Sequence, residues 1–324
     1  MNPARSLVFA AALAVPACRS APKSAVDWQQ KAPYQAGTAL RHVPPSCAGG
    51  HLYVDLPVAR RNEALRTAIE IATDRFVAGA ARSANDKRSI GALNEALHEE
   101  GVDLGRDIKE LAACWAGGDA GVVFTVGGDF SGKDVFGAVQ KASAKLGDKQ
   151  PEVEVARGVP YVRLGAVLIA RPAPNVLALG EDLAALTALG KPNDRASAWG
   201  VTEGRAAVAR LGKADDVWVA LSDRGAELEI QLVTHTKKTA AEMEARRSGV
   251  ADRLGETPLK MLVPAVRATT IAESGGTATF TLRPRTSDAA WALRAAVDLA
   301  PGELRRIVGY VFAAGEPGGA GEKI

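Results

Sequence analysis

Three features of the sequence predict an α+β chain built as antiparallel sheet backed by helices. Short runs alternate apolar and polar residues, glycine-centred turns separate pairs of such runs, and longer stretches of helical period lie between them. The chain has 324 residues, 47% of them apolar and 24% charged, enough to bury a sizeable core. Lys and Arg number 40 against 37 Asp and Glu, and 5% of residues are aromatic. A dedicated nucleic-acid binder needs a strongly basic face, so no nucleic-acid partner is expected.

The elements follow in order. His51–Leu56 alternates as a strand. Leu65, Ile69, Ala72 and Phe76 mark one face of a helix that Asn62 caps. Ser89 opens a second helix with Ile90, Leu93 and Leu97, and Gly101 stops it. Asp107 to Trp115 fits helix and strand equally, but Gly117-Gly118-Asp119 is turn chemistry and the run from Gly121 to Val126 is a strand, so a hairpin is expected. A helix from about Lys133 to Leu146 follows. A strand meander occupies Glu152–Leu179, with short helices at Glu181–Leu189 and Thr202–Leu211.

The second half repeats this order. Val217–Leu221 and Ala226–Val233 are strands around an Arg224-Gly225 turn, and a charged helix runs from about Lys237 to Leu254. Val266–Ile271 and Thr277–Leu282 form a hairpin through Gly275-Gly276, and Ser287 caps a helix through Trp291 and Leu293. Pro301 opens a last helix with a stripe of Leu304, Ile307, Val308 and Val311. Gly117-Gly118 aligns with Gly275-Gly276, and Phe124-Thr125-Val126 with Phe280-Thr281-Leu282. This predicts two diverged β-α-β-β-α units, residues 46–190 (with the meander) and 191–312, followed by a glycine-rich, disordered tail, 313–324.

The N-terminus carries an address. Arg5 precedes the apolar run Leu7–Val15, too short to span a bilayer, and Val15-Pro16-Ala17 meets Cys18. Residues 1–18 are therefore read as a secretory signal peptide, which also fits an ordinary signal peptidase cutting after Ala17. Ending on cysteine, the leader resembles that of bacterial exported lipoproteins, whose pattern prefers Leu where Val15 stands and a small residue where Pro16 stands. The resemblance implies acylation of Cys18 and membrane attachment through that N-terminal lipid. Arg19, in place of the Asp that retains such proteins at the inner membrane, implies the outer membrane. Residues 19–45, with Pro22, Pro33, Pro44 and Pro45 among small polar residues, read as a tether of roughly 30 Å typical reach. The competing reading docks part of it, around Trp28 or Tyr34, on the folded body.

With Cys18 acylated, Cys47 and Cys114 remain as an even pair in an oxidising compartment and are expected to bridge. The bridge would close a loop of roughly 68 residues and stabilise by about 4 kcal/mol in the chain-entropy account. A buried free thiol at Cys114 is the alternative.

Several motifs tempt a catalytic or ligand reading. Gly127-Gly-Asp-Phe-Ser-Gly132-Lys133 fits a phosphate-binding loop between a strand and a helix. Asp134, however, stands where the magnesium-binding hydroxyl belongs and brings negative charge to the phosphate position. A helix cap made by Asp129 or Ser131 explains the segment better. Ser20-Ala-Pro-Lys23 matches the nucleophile motif of penicillin-binding enzymes, but lies in the tether. His42, His51, His98 and His235 lack metal-ligand spacing. Asp103, Asp107 and Glu110 offer a conceivable acid/base set, though capping a turn accounts for the two aspartates. Glu152 and Glu154 fit one solvent-facing strand side, and Glu242, Glu244, Arg246 and Arg247 a solvated helix face.

No catalytic, cofactor or metal residues are assigned. The expected function is an exported, lipid-anchored envelope protein acting as a non-enzymatic interaction or assembly module, with an envelope protein as partner. One alternative is a periplasmic small-molecule or lipid binder using the cleft between the two units. The other is a carboxylate-dependent hydrolase built on Asp103–Glu110.

Overall fold

The alternation read from the sequence resolves into one antiparallel sheet of twelve strands. The computed structural model describes residues 31–43, 50–80, 84–115, 122–164, 167–188, 204–211 and 218–298. The leader, Cys18, Cys47, the Gly117-Gly118 turn, the stripe after Pro301 and the tail lie outside them.

The first half contains α1 (Thr38–Arg41), β1 (Gly50–Asp55), α2 (Leu56–Arg61), α3 (Glu63–Ala80), α4 (Ala84–Glu99), α5 (Leu104–Asp107), β2 (Ile108–Trp115), β3 (Val122–Gly128) and α6 (Val135–Leu146). The expected meander is β4 (Glu154–Ala156), β5 (Val159–Leu164), β6 (Val167–Ala173) and β7 (Val176–Gly180), followed by α7 (Leu183–Ala188). The second half contains β8 (Arg205–Leu211), β9 (Trp218–Arg224), β10 (Glu227–His235), α8 (Ala240–Leu254), α9 (Val263–Arg267), β11 (Thr270–Ser274), β12 (Thr277–Leu282) and α10 (Thr286–Asp298). Across the sheet the strands run β11-β12-β10-β9-β8-β1-β2-β3-β7-β6-β5-β4.

Period-two alternation gives the sheet two unlike faces. One rung reads Ile271, Phe280, Leu232, Val219, Ala209, Leu52, Ala113, Phe124, Leu179, Ile169, Val162 from strand to strand. This apolar face carries α3, α4, α6 and α10, while α7 packs on the other face against Val123, Tyr161, Leu168, Ala170 and Ala178. α4 and α6 pack over Val126, Leu177, Leu179, Ile169 and Val162, while α3 and α10 pack over Val54, Leu221 and Ile230. The neighbouring rung on the opposite face reads Thr270, Thr281, Gln231, Ala220, Val208, Tyr53, Ala112, Thr125, Ala178, Ala170, Tyr161, Glu154. Its small and polar side chains let main chain approach closely, and residues 31–43 lie against it as a strap.

Local signals act as expected at two ends: Asn62 accepts from the amides of Ala64 and Leu65 at the start of α3, and Gly101 is left-handed after α4. At a third, Thr239 and Glu242 form a capping box on α8 that the sequence reading did not name.

Other expectations need correction. Of the helix expected over Thr202–Leu211, the described part is strand: its alanines favour helix locally, but β8 buries Ala206 and Val208 in the middle of the sheet and pairs on both sides. The ambiguous segment at Asp107 is the last residue of α5 followed by strand β2. Helix α4 begins at Ala84, so Ser89 is internal, and α10 begins at Thr286, before Ser287. Residues 263–267 are helical, and β11 starts only at Thr270. The strap corrects part of the tether, because Gly37, Ala39, Leu40 and Val43 are buried.

The duplicated-unit description does not fit the pairing. In the first half β1 pairs with the first strand of its hairpin, β2, whereas in the second half β10 pairs with the second strand of its hairpin, β12. The boundary at residue 190 is not a break in the sheet either, since β1 pairs directly with β8.

Candidate functional site

Burial concentrates unusual chemistry where the strap meets β1, β2 and β3. Glu110 alternates on β2 with Ala112 and Cys114, which turns its carboxylate toward the strap, and it is fully buried. One oxygen accepts from the amide of Ala39 at 2.6 Å; the other accepts from the amide of Gly37 at 2.7 Å and the Tyr53 hydroxyl at 3.0 Å. Tyr34 lies near enough to this carboxylate for the two to interact. Burial pushes Glu110 above the usual carboxylate range against the pull of these donors, with Asp55 on the neighbouring strand adding to the rise. The same burial, reinforced by Glu110, raises both tyrosines.

The strap is read through its main chain elsewhere too. The Thr125 hydroxyl donates to the Ala39 carbonyl at 3.0 Å, while Ser131 Oγ and Asn175 Nδ2 each donate to the Ala32 carbonyl at 2.9 Å. Ala39, Leu40 and Val43 close the apolar side against Tyr53, Ala112, Cys114, Val208 and Ala220. Burying Leu40 alone is worth about 2 kcal/mol. Gly37 has φ 82°, a left-handed turn that allows its amide to face Glu110.

The phosphate-loop-like segment is occupied by the protein's own groups. A Cβ at Gly127 would collide with the Glu110 carboxylate, and one at Gly128 with the Asp107 carbonyl. Close approach of these groups therefore requires the two glycines. Lys133 ion-pairs with buried Asp107, and Asp134 caps α6 by accepting from the Gly137 amide. This corrects the assignment of the cap to Asp129 or Ser131. Beneath the loop, fully buried Arg171 donates to the carbonyls of Phe130, Lys133 and Pro174, and burial lowers it to about 10.

Asp103, Asp107 and Glu110 therefore divide their roles. Asp103 caps α5, as read from the sequence. Asp107 is desolvated, but Lys133, the Asp103 amide and Arg106 together hold it down at about 2. Asp107 and Glu110 both face inward. Among the described residues, no group of three or more His, Cys, Asp or Glu is placed to hold a metal ion. Cys114 is buried.

Sequence reading missed two features. On the strap side, Glu229 is buried between Arg224 at 2.8 Å and Arg283 at 2.7 Å, chiefly through the Arg224 hydrogen bond held below the usual range. Its strand neighbours Leu228 and Ile230 point to the opposite face, so the alternation reads Glu229 as solvent-facing and gives no signal of its burial. On the helix side, between the α3/α10 and α4/α6 pairs, Leu111, Val122 and Phe124 are 37%, 42% and 51% exposed. Three large apolar side chains left open on neighbouring strands form a patch of the kind that marks an interaction surface. No described helix is long and apolar enough to cross a membrane.

No protein-family model and no curated protein matches the chain. Among solved structures it is similar to crystal form I of TP0453, with 10% identity and a TM-score of 0.43 over 82% of this chain and 99% of that one. It is likewise similar to crystal form III of TP0453, with 11% identity and a TM-score of 0.40 over 78% of this chain and 98% of that one.

Proposed function

We propose that the chain is exported, acylated at Cys18 and held at a membrane, the outer one in a two-membrane envelope, where its body acts as a non-enzymatic interaction module. The observation that carries the module reading is the open apolar patch of Leu111, Val122 and Phe124 in the middle of the sheet. A hydrolase on Asp103–Glu110 is the weaker reading, because Asp107 is tied to Lys133 and Arg106 and Glu110 to the strap. We also propose that Cys47 is the disulfide partner of Cys114.

The patch also supports the second reading, a small-molecule or lipid binder, since it lies in the seam between two helix pairs. The test is capture of a C-terminally tagged chain from cross-linked envelopes, beside Phe124→Ser and Leu111→Ser. One near-stoichiometric partner, lost with either substitution, supports the module. Recovery of the tagged protein alone, with an extractable apolar ligand lost in the same variants, supports the binder. Palmitate labelling that persists in Cys18→Ser would overturn the anchor.

A further inference from the structure

We infer that the groove over β2, β3 and β7 is a peptide-binding site that the chain fills with its own residues 31–43. The site is built from the sheet outward, and it reads main chain. Glu110 takes two backbone amides, Thr125 takes the Ala39 carbonyl, and Asn175 takes the Ala32 carbonyl. All three side chains are buried, and each sits on a strand or a tight strand turn that fixes its position.

The occupant is an addition to the sheet and no part of its ladder. Twelve strands pair with one another without it. The strap's own main-chain bonds, Arg41 to Gly37, His42 to Ala39 and Val43 to Leu40, close within the strap. Its hold on the body includes side-chain-to-main-chain bonds and the burial of Ala39, Leu40 and Val43, as in a bound peptide.

The contacts define the ligand class as a short turn bearing Gly-x-Ala-Leu. Gly supplies the left-handed backbone at position 37, Ala39 fits a closed space, and Leu40 fills the apolar end. A segment with a β-branched residue at the glycine position is excluded by its backbone conformation.

The test uses the full chain with Cys18→Ser and a protease site inserted between Val43 and Pro44. After cleavage, a fluorescent synthetic peptide of residues 31–43 is titrated by anisotropy, with circular dichroism and thermal unfolding followed in parallel. The expected result is a folded body that exchanges its cut strap for the labelled peptide, with saturable binding. Glu110→Gln places an amide donor where an acceptor faced an N–H, and should weaken peptide binding by at least about tenfold. A peptide carrying Gly37→Val should not bind. Loss of the cooperative fold on cleavage would show the strap to be integral core and overturn the inference. So would a folded, cut protein that binds no peptide, or binding unchanged by Glu110→Gln.

Discussion

Two glutamates buried on the same side of one sheet are satisfied in opposite ways. Glu229 meets two arginines, Arg224 at the end of β9 and Arg283 just after β12, both half-exposed. Its charge is neutralised within the sheet, and it is held below the usual carboxylate range. Glu110 meets two backbone amides and two tyrosines, most of them from a strap outside the sheet, and it is pushed above that range. The first arrangement is a carboxylate held between two arginines and needs no docked segment to be complete. The second is complete only while another segment is docked, so the energetics of Glu110 are those of a binding site.

The largest expected effect tests that difference directly. Glu110→Ala leaves the amides of Gly37 and Ala39 buried without an acceptor, and should cost about 3 kcal/mol in denaturant unfolding. Gly127→Ala drives a methyl group into the Glu110 carboxylate, and should cost about 2 kcal/mol while loosening the strap, read as faster amide exchange at Gly37 and Ala39. Glu229→Ala should cost only about 1 kcal/mol, because its two arginines can turn to water. Equal losses in Glu110→Ala and Glu229→Ala would break the comparison.

The two sites should also respond to pH with opposite signs. Glu110, flanked by Asp55, Tyr34 and Tyr53, is raised in the folded state. Its contribution is full below the ordinary value of 4.5 and falls as pH rises through its folded value. Glu229 is lowered, so its contribution is present above 4.5 and is lost as pH falls through its folded value. Asp107 adds to the second trend, losing its contribution between 3.8 and about 2. Unfolding free energies across pH 3 to 7 should lose the descending slope in Glu110→Gln, while Glu229→Gln should flatten the ascending one and leave the part due to Asp107 below 3.8. The smallest effect belongs to the exposed pairs of Lys145 with Glu95 and Glu99, where Lys145→Ala should leave the unfolding midpoint unchanged within error.

Much of the fold was legible because it rests on local chemistry. The meander, the Asn62 cap and the turns at Gly225 and Gly275-Gly276 each follow from residues within a few positions of one another. What escaped was decided at long range. An alanine-rich segment reads as helix until β1 and β9 pair with it on both sides. A proline-containing stretch reads as tether until a buried carboxylate more than seventy residues away takes its amides. The site was half visible: Glu110 alternates with Ala112 and Cys114, which marks an inward glutamate, and Gly127 offers the space beside it. Its acceptor role could not be read, because the donors are backbone groups, and backbone carries no sequence signal.

The pairing of β1 with β8 has a consequence for how the chain reaches its native state. Tyr53 and Val208 lie side by side in the middle of the sheet although 155 positions separate them in the chain. A polypeptide emerging from its N-terminus makes one central strand early and waits for the other until well past its midpoint. Until then the flank of β1 that will receive β8 is an unpaired edge bearing Leu52 and Val54, able to pair wrongly with another chain. Such a sheet closes late and from the middle. That timing makes any product truncated before Arg205 prone to aggregation.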